Sequence, residues 1–151
     1  MKLHPPSIQD SSVRGVRLLE LRHVEDALRG DLTVLEFDES LPFQPRRCFW
    51  THGIPDRAVR GEHAHRECSQ VLIPVHGIFT LRVDDGCRRE DWCLDRPHRG
   101  LLVPPGIWLE AEAHAPDAVL LALASHTYDP DDYIRDYTEF LRMMGGCNES
   151  P

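Results

Sequence analysis

The stretch VRGEHAHRECSQVLIPVHG, residues 59–77, places His63 and His65 two positions apart ahead of an apolar run. On a β-strand such a pair shares one face. Imidazole titrates near neutrality and is the commonest metal ligand, so the pair suits either proton transfer or metal binding. Arg60 precedes it with a planar fork of donors that fits an oxyanion or a phosphate. Gly61 allows close backbone approach. With both histidines inward, strict alternation puts Gly61 on their face and Arg60 on the other, unless a bulge intervenes. The same alternation gives Gln70, Leu72 and Pro74 a common face. A buried glutamine beside two histidines needs hydrogen-bond partners.

Other chemistries lack their residues. There is no glycine-rich phosphate loop, no G-x-S-x-G elbow and no H-E-x-x-H helix. A net charge of −8 argues against nucleic acid or an anionic membrane as partner. An anionic small ligand would then need a local arginine cluster, for which Arg46, Arg47, Arg57, Arg60 and Arg82 are available. No apolar run approaches the roughly 20 residues that span a bilayer. The opening MKLHPPSIQDSSV has no signal-peptide core, so no membrane association and a cytoplasmic location are expected. The cysteines, Cys48, Cys68, Cys87, Cys93 and Cys147, are odd in number and form no C-x-x-C pair. Reduced thiols are expected, and a zinc site built from them is not. Asn148-Glu149-Ser150 has the glycosylation pattern but sits in a polar tail.

The elements that position these residues are short. VRLLEL, LTVLEF, RRCFWT, AVRGEHAH, SQVLIPV, IFTLRV, REDWCL, GLLVPP, IWLEAEA and AVLLALA are apolar or alternating runs separated by turn residues, including Gly77 and Asp84-Asp85-Gly86. Many short strands at regular spacing predict an all-β sandwich or barrel. The period changes in DPDDYIRDYTEFLRMMGG, where Tyr133, Ile134, Tyr137, Phe140, Leu141 and Met144 recur at helical spacing. An amphipathic helix over 130–144 is expected, capped by Asp129, with its tyrosines in packing roles. The 151 residues suffice for one domain. The expected layout is a flexible leader over 1–13, a single domain over 14–144 and a flexible tail over 145–151.

His63-Ala64-His65, then Gln70, Gly77 and the Pro104-Pro105-Gly106 turn resemble the two motifs of the cupins, small jelly-roll β-barrels. A cupin-type barrel with a C-terminal helix is therefore implied. Two of the four usual cupin metal ligands are replaced, the glutamate by Gln70 and the last histidine by Leu109. Two imidazoles and an amide make a weak site for a divalent ion, so no metal and no cofactor are expected. VRGEHAH, QVLIPVHG, LRVDDG, GLLVPPGIW, VLLALAS and YDPDDYIRDYTEFL together resemble the sugar-nucleotide 3,4-ketoisomerase branch, over roughly residues 30 to 142.

That resemblance implies a metal-independent enzyme moving the keto group of a dTDP-linked 4-keto-6-deoxyhexose from C4 to C3, within deoxysugar and polysaccharide or antigen biosynthesis. It implies His63 as the base at C3 and His65 as an aid to proton shuttling. Arg60 either stabilises the enediolate or holds the diphosphate, or points outward in an ion pair. Gln70 either bonds the sugar or orients a histidine, or is structural. Where the family carries Phe-Tyr-x-Tyr, this chain has Phe49-Trp50-Thr51-His52. His52 is a third imidazole for the site or a strand-end residue facing water. Trp108 is a stacking platform or a core residue. His4, His23, His76, His98, His114 and His126 read as tail, turn or polar-stretch residues. The resemblance also implies a homodimer with an exchanged N-terminal strand, placed at residues 14–22. The alternatives are a 3,5-epimerase-like enzyme on a nucleotide sugar, and a non-catalytic sugar-binding cupin.

Overall fold

The computed structural model describes residues 1–38 and 41–147. Asn148-Glu149-Ser150, and with them most of the expected tail, lie outside these residues. Two antiparallel sheets face each other. One has six strands in the order β2 (Ser7–Asp10), β3 (Arg17–Glu20), β11 (Arg99–Val103), β8 (Gln70–His76), β13 (Val119–Ala124) and β6 (Arg47–Thr51). The other has five, in the order β10 (Arg89–Leu94), β9 (Phe79–Asp84), β12 (Trp108–Ala113), β7 (Val59–His65) and β14 (Tyr133–Ile134). A small third sheet joins β1 (Lys2–His4), β4 (Arg22–Glu25) and β5 (Leu32–Val34). This is the jelly-roll arrangement expected of the apolar runs, and ten of the strands fall on them.

Alternation explains the core. Leu72 of β8, Leu101 and Val103 of β11, and Leu120 and Ala122 of β13 face Leu81 and Val83 of β9 and Leu109 and Ala111 of β12. The intervening residues Val71, Ile73, Leu102 and Leu123 point to the other side of the six-stranded sheet and form a second cluster with Leu19, Leu21 and Leu41. The sheet is thus apolar on both faces, as a covered sheet reads. At the β8–β9 turn Gly77 has φ +78°, and a Cβ there would lie 2.8 Å from that of Ala118. Both facts restrict the corner to glycine.

Three expectations need correction. Residues 2–10 are not a loose leader: β1 pairs with β4 and β2 with β3. The prolines Pro5 and Pro6 between them break the chain into two short strands rather than preventing pairing. The helix does not begin at residue 130. Asp129 caps a single 3-10 turn, Pro130–Asp132; β14 follows; the helix α1 then runs Tyr137–Met144, capped by the side chain of Asp136. Ile134 pairs with Ala64 of β7, and that ladder overrides the helical period. Finally, not all thiols are free. Cys87 and Cys147 form a disulfide, with Cα atoms 5.1 Å apart, whereas Cys48, Cys68 and Cys93 are unpaired. The two halves are 60 residues apart in sequence. They meet because the Gly86 turn packs on Met144 at the end of α1.

Helix α1 buries Phe140 against Trp108 and Ile134, on the outer side of the five-stranded sheet. Tyr137 donates to Asp84 at 2.5 Å, which Arg89 also engages at 3.1 Å. Among the described residues, no helix is long and apolar enough to cross a membrane.

Candidate active site

A cavity of about 390 Å³ opens between the two large sheets. Its walls come from inward positions: Phe49 and Thr51 of β6, Gln70 and Leu72 of β8, Leu109 and Ala111 of β12. His63 and Arg60 of β7 line it together, as do Tyr133 and Arg135.

Arg60 reaches this face through a β-bulge. His63 pairs with Leu109, but the next pair is Gly61 with Glu110, so Glu62 has no partner. Arg60 then pairs with Ala111, an inward residue. The extra residue shifts the alternation by one and brings Arg60 to the histidine side. The chain achieves this with two successive left-handed residues, Gly61 at φ +84° and Glu62 at φ +55°. A Cβ on Gly61 would lie 2.8 Å from the Leu109 carbonyl oxygen, so only glycine fits.

The two imidazoles meet edge to face, their centroids 4.9 Å apart and their planes at 87°. Each is anchored through Nδ1. That of His63 donates to the Gly61 carbonyl at 2.9 Å. That of His65 donates to Asp132 at 2.8 Å. Both anchors leave Nε2 as the nitrogen with a lone pair. His65 Nε2 is buried with no hydrogen-bond partner. Burial pushes His63 down to about 4; the bond to Gly61 opposes this, while His65, Arg135 and Arg60 add to it. Burial likewise holds His65 below the usual histidine range, against the pull of Asp132. Burial would raise Asp132, but the hydrogen bonds from His65 and the Glu67 amide outweigh it and keep the carboxyl below its ordinary value. At neutral pH the site therefore holds two neutral imidazoles, one backed by a carboxylate.

Tyr133 completes the cluster, its ring centroid 4.8 Å from that of His63 and 4.4 Å from that of His65. The Arg135 guanidinium lies 4.4 Å over the Tyr133 ring. Arg47, half-buried on β6, stacks 5.1 Å from the Phe49 ring centroid, and its Nε is buried without a hydrogen-bond partner. Arg47, Arg60 and Arg135 thus supply cationic charge. Arg82 does not, being paired with Asp91 and Glu110 on the outer face.

The structure brings His63, His65, Arg60 and Gln70 together and leaves two expected residues out. His52 is exposed beyond the end of β6 and does not line the cavity; Thr51 does. Trp108 is buried on the opposite face of β12 against Phe140 and Tyr137, because it precedes the inward Leu109 by one residue. Asp132, Tyr133 and Arg135 went unrecognised in the sequence, where they read as a helix start. The one available signal was Tyr133-Ile134-Arg135, a buried residue between two polar ones, which is strand alternation. His65, Cys68 and Asp132 hold possible ligand atoms within 4.8 Å of one another. However, His65 and Asp132 are bonded to each other and Asp132 also accepts the Glu67 amide.

Known proteins share this architecture. A profile of the family described as FdtA: WxcM-like, C-terminal matches residues 14–145. A TDP-4-oxo-6-deoxy-alpha-D-glucose-3,4-oxoisomerase of Aneurinibacillus thermoaerophilus is 33% identical over 132 residues, covering 87% of this chain and 94% of that protein. The solved structure of a 3,4-ketoisomerase from Helicobacter canadensis aligns with a TM-score of 0.82 at 36% identity, over 87% of this chain and 98% of that one. The WlaRB TDP-quinovose 3,4-ketoisomerase from Campylobacter jejuni aligns with a TM-score of 0.80 at 38% identity, over 86% and 99% respectively. The paired neutral imidazoles, the arginine-flanked cavity and these relatives lead to one conclusion: the chain belongs to the FdtA, WxcM-like C-terminal family, the branch of sugar 3,4-ketoisomerases.

Proposed function

We propose that the protein isomerises a TDP-4-keto-6-deoxyhexose to its 3-keto isomer in deoxysugar biosynthesis, with histidine acid/base catalysis and no metal. The observation that carries the reading is the pair of neutral imidazoles, each tied down at Nδ1, beside a cavity lined by Arg60 and Arg135. With the hexose in the cavity, His63 Nε2 takes the proton from C3. The C–H electron pair forms the C3=C4 double bond, and the carbonyl pair moves to O4. Arg60 or Arg135 offsets the charge on that oxygen. His65 Nε2 accepts the proton of the C3 hydroxyl and returns it to O4. The enediol collapses to the C3 ketone as C4 takes a proton from the His63 imidazolium. Asp132 keeps His65 in the tautomer this shuttle requires and supports it while charged. Gln70, buried 4% exposed at the cavity wall, offers an amide to the sugar hydroxyls.

The metal-free reading rests on the donor set. Gln70 and Leu109 occupy two positions where a cupin metal site needs a carboxylate and an imidazole. We further propose a homodimer in the cytoplasm. The dimer is supported by the apolar outer face of the six-stranded sheet, where Leu21, Leu35, Ile73, Leu121 and Leu123 line an open groove. Phe37 stands 55% exposed at its edge. Light scattering during size-exclusion chromatography checks it, and a monomer would refute it.

The deciding test is incubation with TDP-4-keto-6-deoxyglucose in deuterated water containing EDTA, followed by NMR. Deuterium at the carbon that gains the proton, with a new 3-keto product, is expected. Label at C5 as well would indicate a 3,5-epimerase. Binding of the nucleotide sugar without exchange would indicate a non-catalytic cupin.

A further inference from the structure

The cavity has two chemically unlike walls. Arg60, Glu62 and His63 of β7 and Tyr133 of β14 stand on the five-stranded sheet, and Arg135 directly follows β14. These are the ionisable side chains of the lining. The opposite wall is the six-stranded sheet. It presents Phe49 and Thr51 of β6, Gln70 and Leu72 of β8, and Leu120 of β13. Among the described residues lining this wall, none is an acid near neutrality; a hydroxyl and an amide are its polar side chains. Arg47 shares a strand with Phe49, but it does not line the cavity, and a guanidinium keeps its proton. The apolar side chains of that wall offer an ordered water few partners.

The stereochemistry of the sugar connects these walls to the product. The substrate is TDP-4-keto-6-deoxy-α-D-glucose, on which the inference rests through the function proposed above. In it H3 and the C1–O bond to the diphosphate are both axial, on one face of the ring. Proton removal beside a carbonyl needs the C–H bond perpendicular to the carbonyl plane, so the base sits over a ring face and not at the ring edge. His63 therefore meets the face that carries H3 and the diphosphate, and Arg60 and Arg135 lie on that same side to receive the anion. The other ring face meets Phe49, Leu72 and Leu120.

We infer that C4 takes its new hydrogen from the H3 face alone, so that the 3-keto product has the galacto and not the gluco configuration. His63 Nε2 removes H3, and the C–H electron pair forms the C3=C4 bond. On collapse, the O3–H proton leaves, C3 becomes the ketone, and the C3=C4 pair takes the proton from His63 Nε2 at C4. O4 is left axial on the opposite face. Thr51 and Gln70, the hydrogen-bonding side chains of that wall, stand on the side to which this hydroxyl turns.

The test reads the configuration of the product made by the full chain. TDP-4-keto-6-deoxy-α-D-glucose is turned over in ordinary water, and proton NMR early in the reaction, before solvent can epimerise C4, gives the coupling between H4 and H5 of the 3-keto product. The galacto product holds H4 equatorial and shows a small coupling, which is the expected result. A large, trans-diaxial coupling would mean the gluco product and overturn the inference while leaving the ketoisomerase in place. Both epimers forming together from the start would do the same. Absence of any 3-keto product would remove the ketoisomerase itself, and this inference with it. Thr51→Val takes the hydroxyl from the opposite wall while keeping its shape, and circular dichroism checks that it folds. The same small coupling is expected from it. A gluco share in the product of the folded variant would show that the opposite wall steers C4, contrary to the inference.

Discussion

His63 and His65 meet edge to face inside the barrel, whereas His4 and His23 of the small sheet lie face to face with each other and His98 of the β10–β11 turn stacks on His23. In the barrel each Nδ1 has its own acceptor, so both rings are held in one tautomer with the lone pair on Nε2. On the small sheet only His23 has such an anchor. His63 borders a cavity and His65 packs edge to face against it; the rings of the other group stack on one another. The same residue type thus becomes a reagent in one place and a packing element with spare nitrogens in the other. What differs is the outer contact and the neighbouring space, and both can be altered one residue at a time.

The largest expected effect is on His63. His63→Asn keeps a polar side chain of similar reach but removes the base. Turnover should fall by on the order of a thousandfold, with circular dichroism and Tm close to the parent. Turnover within tenfold of the parent would remove His63 from the chemistry.

The same residue should mark the pH dependence of stability. Its folded-state value of about 4 lies below the ordinary 6.5. Above 6.5 both folded and unfolded chains hold it neutral, so it contributes nothing. As pH falls from 6.5 toward 4 the unfolded chain takes up a proton that the folded chain refuses, and stability drops. The full drop is roughly 3 kcal/mol. Urea unfolding at pH 7 and pH 4.5 should therefore show the parent losing more stability than His63→Asn. The acid limb of kcat/KM should likewise fall well below 6.5, because the base stays neutral there. Parallel losses in parent and variant would show that burial does not hold His63 neutral.

Asp132→Asn addresses the anchor. The amide can still meet Nδ1, but it can present its oxygen or its NH₂ and carries no charge to support a protonated ring. A loss of roughly ten- to a hundredfold in kcat is expected, with KM little changed, since Asp132 faces His65 and not the cavity. A rise in KM alone would make Asp132 a structural residue of the β7–β14 connection.

Which of these features were legible in the sequence follows from how far each depends on distant pairing. The histidine pair, Gln70 and the ten main strands were legible because local alternation fixes them. The face of Arg60 stayed open, because one unpaired residue, Glu62, reverses the alternation, and Gly61 allows a bulge without fixing where it falls. Asp132 is 67 residues from His65, and its segment begins with good helix-capping chemistry, Asp129 before Pro130. Local propensity there loses to a ladder with β7. The His4, His23 and His98 cluster was illegible for the same reason. Its members read singly as tail and turn residues, and only the β1–β4 pairing and the approach of the β10–β11 turn unite them.

The smallest effect belongs to the outer ring of that stack. His98→Leu preserves bulk and removes one aromatic face from His23. Stability should change by less than about 1.5 kcal/mol, the range of a single aromatic pair, as read by urea unfolding at pH 7. Turnover should be unaffected, because the small sheet contributes no residue to the cavity lining. A substantial loss of turnover in a folded His98→Leu protein would mean that the two histidine groups are coupled through β11 and β8, the strands that separate them. The division between reagent and packing element would then fail, since β8 carries Gln70 into the cavity and pairs with β11 at Val103. Unchanged turnover with a small stability loss would instead keep the small sheet a mechanically separate fastening for the N-terminal strand.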